Sequence, residues 1–96
     1  PGQVLAEIVV ASAGGIHERQ LAVVAVDDAR AGKRLVLVHE GSVPAATIGS
    51  TLLSYHAWCP GFRRISATVA VDQIPRSPLG KPLASELSRI AAEAVN

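Results

Sequence analysis

Two runs rich in valine and leucine, Gln20–Val26 and Arg34–Glu40, stand only seven residues apart, and that spacing restricts the fold more than any other feature of the sequence. Short, β-branched and bounded by turn residues, both runs read as strands. A parallel pair needs a crossover of a dozen or more residues, so the Asp27–Lys33 link makes these strands antiparallel neighbours. Asp27, Asp28 and Gly32 suit a solvated turn. The two aspartates lack a third ligand nearby, so a metal site is the weaker reading.

The remaining segments group around that pair. Gln3–Ala13 carries Val4, Leu5, Ile8 and Val9 at the spacing of a short helix with one buried face. Gly14-Gly15 is its stop, and His17 reads as a solvated loop histidine. Beyond Gly41, the residues Ile48, Leu52, Leu53 and Tyr55 predict a second helix, with Pro44 in its first turn and Pro60 past its end. Phe62–Val71 predicts a third strand with odd-numbered positions on one face. Leu83, Leu87, Ile90, Ala91 and Ala94 trace one side of a last helix. The order predicts an α+β domain: a small three-stranded, largely antiparallel sheet covered by about three helices.

Hydrophobic residues make up 49% of the 96, yet Tyr55, Trp58 and Phe62 are the only aromatics, so valine, leucine, isoleucine and alanine must build the core. The net charge of +1 argues against a nucleic-acid module, which shows a basic stripe. A single cysteine, Cys59, cannot close an internal disulfide, which suits the cytoplasm. No apolar run approaches the roughly 20 residues that span a bilayer, and no signal-peptide pattern opens the chain. Pro1 stands where a methionine would, which reads as a trimmed or excised piece of a longer protein.

Between the third strand and the last helix lies Ile74-Pro-Arg-Ser-Pro-Leu-Gly-Lys-Pro82. Pro75 and Pro78 stiffen this loop, and Gly80 supplies a permissive dihedral just before Lys81. Pro82 suits the first position of the helix, which puts Lys81 at or beside the N-cap. A lysine there opposes the helix dipole by roughly 0.3–1 kcal/mol, a penalty that a bound anion would reverse. Lys81 is thus the candidate anion-binding residue.

Ile74–Lys81, preceded by Val69-Ala-Val-Asp72, resembles the last core motif of the adenylate-forming (AMP-binding) superfamily, which reads approximately Val-Asp-x-Ile/Leu-Pro-x-Thr/Ser-x-x-Gly-Lys. Leu21–Asp28 with Gly32 and Arg34–His39 is similar to the family's strand, Asp-containing turn and second strand, and Leu53-Ser-Tyr55 with Pro60 is similar to its Leu-x-x-Tyr-x-x-Pro segment. The resemblance covers most of the chain and is strongest to acyl-CoA synthetases. It implies that residues 1–96 form the C-terminal lid subdomain of an ATP-dependent ligase of fatty acid metabolism. Such an enzyme joins a carboxylic acid to ATP as an acyl-adenylate and passes the acyl group to a thiol of coenzyme A or an acyl carrier protein.

By the same resemblance Lys81 is the adenylation lysine, Pro75 and Gly80 position its loop, and Arg63, Arg64 and Arg76 are candidate phosphate or coenzyme A contacts. ATP with its magnesium, and coenzyme A, would be bound mainly by an N-terminal adenylation domain whose motifs are not in these residues, so the isolated chain is expected to be inactive. The chain departs from the family pattern at Lys33, where an acidic residue is common, at Ala84, where a basic one is common, and at Pro82, directly after the lysine. Those departures keep a second reading open: a stand-alone or degenerate lid-like module that docks an acidic protein through Arg63, Arg64, Arg76 and Lys81. A zinc site or Cys–His nucleophile at His56 and Cys59, and a hydrolase built on Ser77, His56 and Asp72, have too little sequence support to compete. No resident metal site is expected.

Overall fold

The computed structural model describes residues 2–28, 30 and 32–95. Helix α1 (Gly2–Ala11) leads through one 3₁₀ turn, Glu18–Gln20, into strand β1 (Leu21–Asp28) and then β2 (Gly32–Glu40). Helix α2 (Ala45–His56) and a second 3₁₀ turn, Gly61–Arg63, lead to β3 (Ile65–Val71), and helix α3 (Ala84–Val95) follows. The α+β architecture, with three strands and three helices in the expected order, is therefore present. The expected Asp27–Lys33 turn is corrected: Asp27 and Asp28 belong to β1 and Gly32 and Lys33 to β2, because the antiparallel pairing continues through Asp27↔Lys33 and Asp28↔Gly32. Pro1, Ala29, Ala31 and Asn96 lie outside the described residues.

Strand β2 is central, in the order β1-β2-β3. It runs antiparallel to β1 over eight residue pairs, from Leu21↔His39 to Asp28↔Gly32, as the short link requires. It runs parallel to β3 over six pairs, so the sheet is mixed with the antiparallel pairing the longer. Residues 41–64, including α2, form the crossover that a parallel neighbour needs.

Both faces of the sheet are covered, which explains why β1 and β2 read as apolar runs without clean alternation. On one face Leu21, Val23, Leu35 and Leu37 pack with Val4 and Ile8 of α1 and Ile48 and Tyr55 of α2. On the other, Ala22, Val24, Val26, Val36 and Val38 pack with Ile74 and with Leu87 and Ala91 of α3. Arg89 pairs with Glu86 and Glu93 on the opposite, exposed side of α3.

Strand β3 corrects the expected pattern twice. It begins at Ile65 and not at Phe62, because Gly61–Arg63 closes a 3₁₀ turn behind Pro60. Its odd positions also divide: Ala67, Val69 and Val71 pack on the α3 face, while Ile65 joins the α1–α2 core. The pairing steps from Leu35↔Ile65 to Val36↔Ala67, so Ser66 is an inserted residue. A bulge of one residue sends every later side chain to the other face.

The helix ends also shift. Helix α1 stops at Ala11, where the Ser12 hydroxyl donates to Val9 O at 2.6 Å and Ala13 takes a positive φ of 53° ahead of Gly14. Pro44 is the N-cap of α2, one step outside the expected first turn.

Tyr55 ties α2 to the start of β3. It is fully buried, and its hydroxyl donates to Arg63 O at 2.7 Å. Burial pushes this phenol up to about 12, with Cys59 and Glu7 adding to the effect and Arg63 opposing it. Tyr55→Phe keeps the ring but leaves the Arg63 carbonyl without its donor, and should cost about 1–3 kcal/mol in urea unfolding. A loss below the error of the fit would show that solvent satisfies that carbonyl.

Candidate functional site

The loop that follows β3 is closed on itself by its own backbone. Ile74, buried among the α3-side residues, anchors its start. Pro75 O accepts from Leu83 N at 2.9 Å, and Arg76 and Pro82 form an antiparallel bridge one step further in. Inside that bridge Ser77 N donates to Lys81 O at 2.8 Å, Gly80 N donates to Ser77 O at 2.8 Å, and Lys81 N donates to the Ser77 hydroxyl at 3.3 Å. Gly80 has φ of 89°, the left-handed geometry its sequence position suggested.

Two sides of this small hairpin behave differently. The tip is open: Leu79 is 90% exposed, and Lys81 is exposed with no hydrogen bond or ion pair to its ammonium among the described residues. Arg76 points the other way. Its Nη1 donates to Gly80 O at 2.9 Å and its Nη2 to Arg19 O at 3.0 Å, reaching the Glu18–Gln20 turn.

That turn carries a capping box. His17 Nδ1 accepts from Arg19 N at 3.1 Å, and Gln20 Oε1 accepts from His17 N at 2.9 Å. The spacing His17-x-x-Gln20 was the available signal, but capping boxes are usually recognised by serine or threonine at the first position.

The expected N-cap position of Lys81 is corrected. Helix α3 starts at Ala84, with Leu83 O accepting from Leu87 N at 3.0 Å. Pro82 is held extended in its bridge with Arg76, so it is not the first helical residue, and Leu83, whose N bonds Pro75 O, stands just before the helix. Lys81 lies three residues ahead of Ala84, beyond the first turn in which the dipole acts.

Arg63 and Arg64 are elsewhere. Arg63 is half-buried, with Nη1 3.3 Å from the Glu7 carboxylate and the guanidinium 5.5 Å from the Phe62 ring centroid, so it fastens α1 to the approach to β3. Arg64 is exposed and lines an open cleft with Lys33, Arg34, Leu35, Phe62 and Ser66. Phe62 is 81% exposed there, and Lys33 pairs with Asp27 at 2.5 Å. This cleft lies at the Lys33 end of β2, whereas Gln73–Arg76 lie against Glu40. At about 3.3 Å per residue the two ends are roughly 20 Å apart. The structure thus brings Pro75, Arg76, Gly80 and Lys81 together and sets Arg63 and Arg64 apart.

The weaker candidates find structural partners. His56 Nε2 accepts from Ile65 N at 3.1 Å, which assigns its proton to Nδ1. Burial and then the Arg64 charge hold His56 below its ordinary value near 6.5. Ser77 Oγ serves the Lys81 loop at the other end of the sheet, so Ser77 and His56 do not form a catalytic pair. Cys59 is half-buried against the α1–α2 core. Among the described residues no three His, Cys, Asp or Glu side chains converge to hold a metal, and no helix is long and apolar enough to cross a membrane.

Neither a protein-family model nor a curated protein matches this sequence. Solved structures do match. An acyl-CoA synthetase (AMP-forming)/AMP-acid ligase II-like protein from Dyadobacter fermentans superposes with a TM-score of 0.74 at 15% identity, over 99% of this chain and 26% of that one. An acyl-CoA synthetase from Brucella canis gives 0.71 at 17% identity, over 100% of this chain and 18% of that one. The fatty acyl CoA synthetase of Mycobacterium tuberculosis gives 0.68 at 20% identity, over 92% and 18%. The chain therefore spans about a quarter or less of these proteins and has the fold of one piece of them.

His56 makes stability depend on pH in a defined direction. Its native affinity for a proton is lowered, so its contribution is fully present above the unfolded value near 6.5 and is lost as the pH falls through and below it. His56→Gln offers Ile65 N an acceptor that does not titrate. The melting temperature of the wild type should fall relative to that of His56→Gln between pH 7.5 and pH 5. Parallel curves would show that protonated His56 finds another partner for Ile65.

Proposed function

We propose that this chain is the C-terminal lid of an ATP-dependent carboxylate ligase of the acyl-CoA synthetase type. Its partner is a large N-terminal adenylation domain of the same cytoplasmic enzyme, and Lys81 enters that domain's active site during adenylation. The observation that carries this reading is the Ile74–Lys81 loop itself: a self-bonded loop that presents an exposed ammonium without a partner among the described residues, in a fold found within acyl-CoA synthetase structures.

The chemistry asks for such a group. A carboxylate attacks the α-phosphorus of ATP, forming the acyl-adenylate and releasing pyrophosphate; a thiol of coenzyme A or an acyl carrier protein then displaces AMP. The first step brings two anions together, and a cation placed between them lowers the barrier. Lysine suits insertion from a separate domain, because its ammonium is compact and its stem long. Pro75 and Gly80 set the course of the loop. Magnesium would arrive with ATP, since the described residues gather no ligand set for it.

For the second step, the cleft offers exposed Arg64 and an exposed Phe62 ring to a phosphorylated nucleotide such as that of coenzyme A. Arg63, already paired with Glu7, would support that cleft more than contact the ligand. The alternative, an interaction module with one basic docking surface, is less well supported because Lys81 lies far from Arg63 and Arg64 and Arg76 is turned into the loop.

The test places this chain in its full-length protein, or in an acyl-CoA synthetase whose corresponding piece it replaces. Lys81→Ala should lower adenylate formation about 10²–10³-fold and spare thioester formation from preformed acyl-adenylate. Equal loss of both half-reactions overturns the assignment. The 96-residue chain alone, given ATP, magnesium and a panel of carboxylic acids, should release no pyrophosphate; release above the blank overturns the claim that it works only as a lid.

A further inference from the structure

We infer that Arg76 is the positioning residue of the Lys81 loop, holding the peptide that carries the lysine against the Glu18–Gln20 turn. The inference rests on the proposed role of Lys81. The Ser77–Lys81 and Ser77–Gly80 bonds close the loop upon itself, but they do not fix its orientation relative to the sheet. Arg76 joins the two frames: one nitrogen holds Gly80 O at 2.9 Å and the other holds Arg19 O at 3.0 Å, on a segment 57 positions away in sequence.

The choice of carbonyl matters. Gly80 O belongs to the planar peptide unit that joins Gly80 to Lys81, so holding it restricts Gly80 ψ and Lys81 φ together. Gly80, at φ of 89°, is the loop residue with the widest backbone freedom, and a restraint there removes most of the play in the lysine's position. The other end of the tether is also fixed, because the His17 and Gln20 capping bonds hold the turn that presents Arg19 O. A lysine at position 76 keeps the charge but lacks the planar fork that serves two carbonyls at once. A glutamine loses both charge and reach.

Arg76→Lys and Arg76→Gln test this in two ways. In the chain itself, amide exchange at Ser77 and Gly80 should accelerate about tenfold or more in both variants, while amides of Val36–Val38 exchange as in the wild type. In the full-length or chimeric ligase, kcat for adenylation should fall about ten- to a hundredfold. KM for ATP should stay within about twofold, and thioester formation from preformed adenylate should be unchanged. Gln20→Ala, which weakens the far end of the tether without touching Arg76, should accelerate exchange at the same two amides.

Unchanged loop exchange in both Arg76 variants overturns the inference. So does a raised KM with intact kcat, which would make Arg76 a ligand contact. If Lys81→Ala leaves adenylation intact in the same protein, the proposed function fails, while the exchange measurement still decides whether Arg76 orients the loop.

Discussion

Burial of β2 on both faces and along both edges is the constraint on which the rest of the molecule depends. Val36, Leu37 and Val38 have no exposed surface. Leu37 calls for α1 and α2 on one side, and Val36 and Val38 call for α3 on the other. The Ile74–Lys81 loop inherits its position from this arrangement. It leaves β3, which is hydrogen-bonded to β2, and returns to α3, which packs on that same strand through Leu87 and Ala91. Ile74 sits in the core beside them, so both ends of the loop are set by one apolar cluster.

Between those ends, stiffness and freedom are divided in a way that suits a cation delivered to another surface. The backbone is tied by Pro75–Leu83, Arg76–Pro82 and Ser77–Lys81 contacts, while the lysine stem beyond it is unattached among the described residues. A fixed backbone lowers the ordering cost of docking, since fewer degrees of freedom remain to be frozen. An ammonium moved out of water loses hydration, and only closely placed anions repay that loss. A rigid loop with a mobile ammonium therefore binds tightly only where negative charge is already concentrated.

The sequence showed the elements well and their relations less well. Three strands, three helices and the permissive backbone of Gly80 follow from local pattern and turn chemistry, which a single segment carries within itself, whereas the strand ends at Asp28 and Gly32 depend on pairing between the two strands. The inserted Ser66 was hidden because Ile65, Ala67, Val69 and Val71 alternate perfectly, and only the pairing with β2 shows that one residue has no partner. The start of α3 at Ala84 was missed for a similar reason. Pro82 is an excellent first helical residue, but its bridge to Arg76 holds it extended and out of the helix. Arg76 read as a candidate phosphate or coenzyme A contact because its partner, Arg19 O, lies 57 positions away, at a distance in sequence that no local rule can reach.

The geometry also places a condition on any two-step chemistry performed by this chain. Lys81 and the Arg64 cleft occupy opposite ends of β2, roughly 20 Å apart along the strand, farther than one side chain can extend. The sheet between them is packed on both faces, so it cannot bend to bring them together. A lid that uses both groups on one active site must therefore turn as a body between the steps, presenting one end and then the other. The covered sheet makes that motion feasible, because a unit with its own core can rotate without exposing it. A lid using Lys81 alone needs no such rotation, and Arg64 and Phe62 would then be ordinary solvated surface. Under the proposed lid role, the separation of the two basic groups thus links the number of steps served to whether the domain has to move.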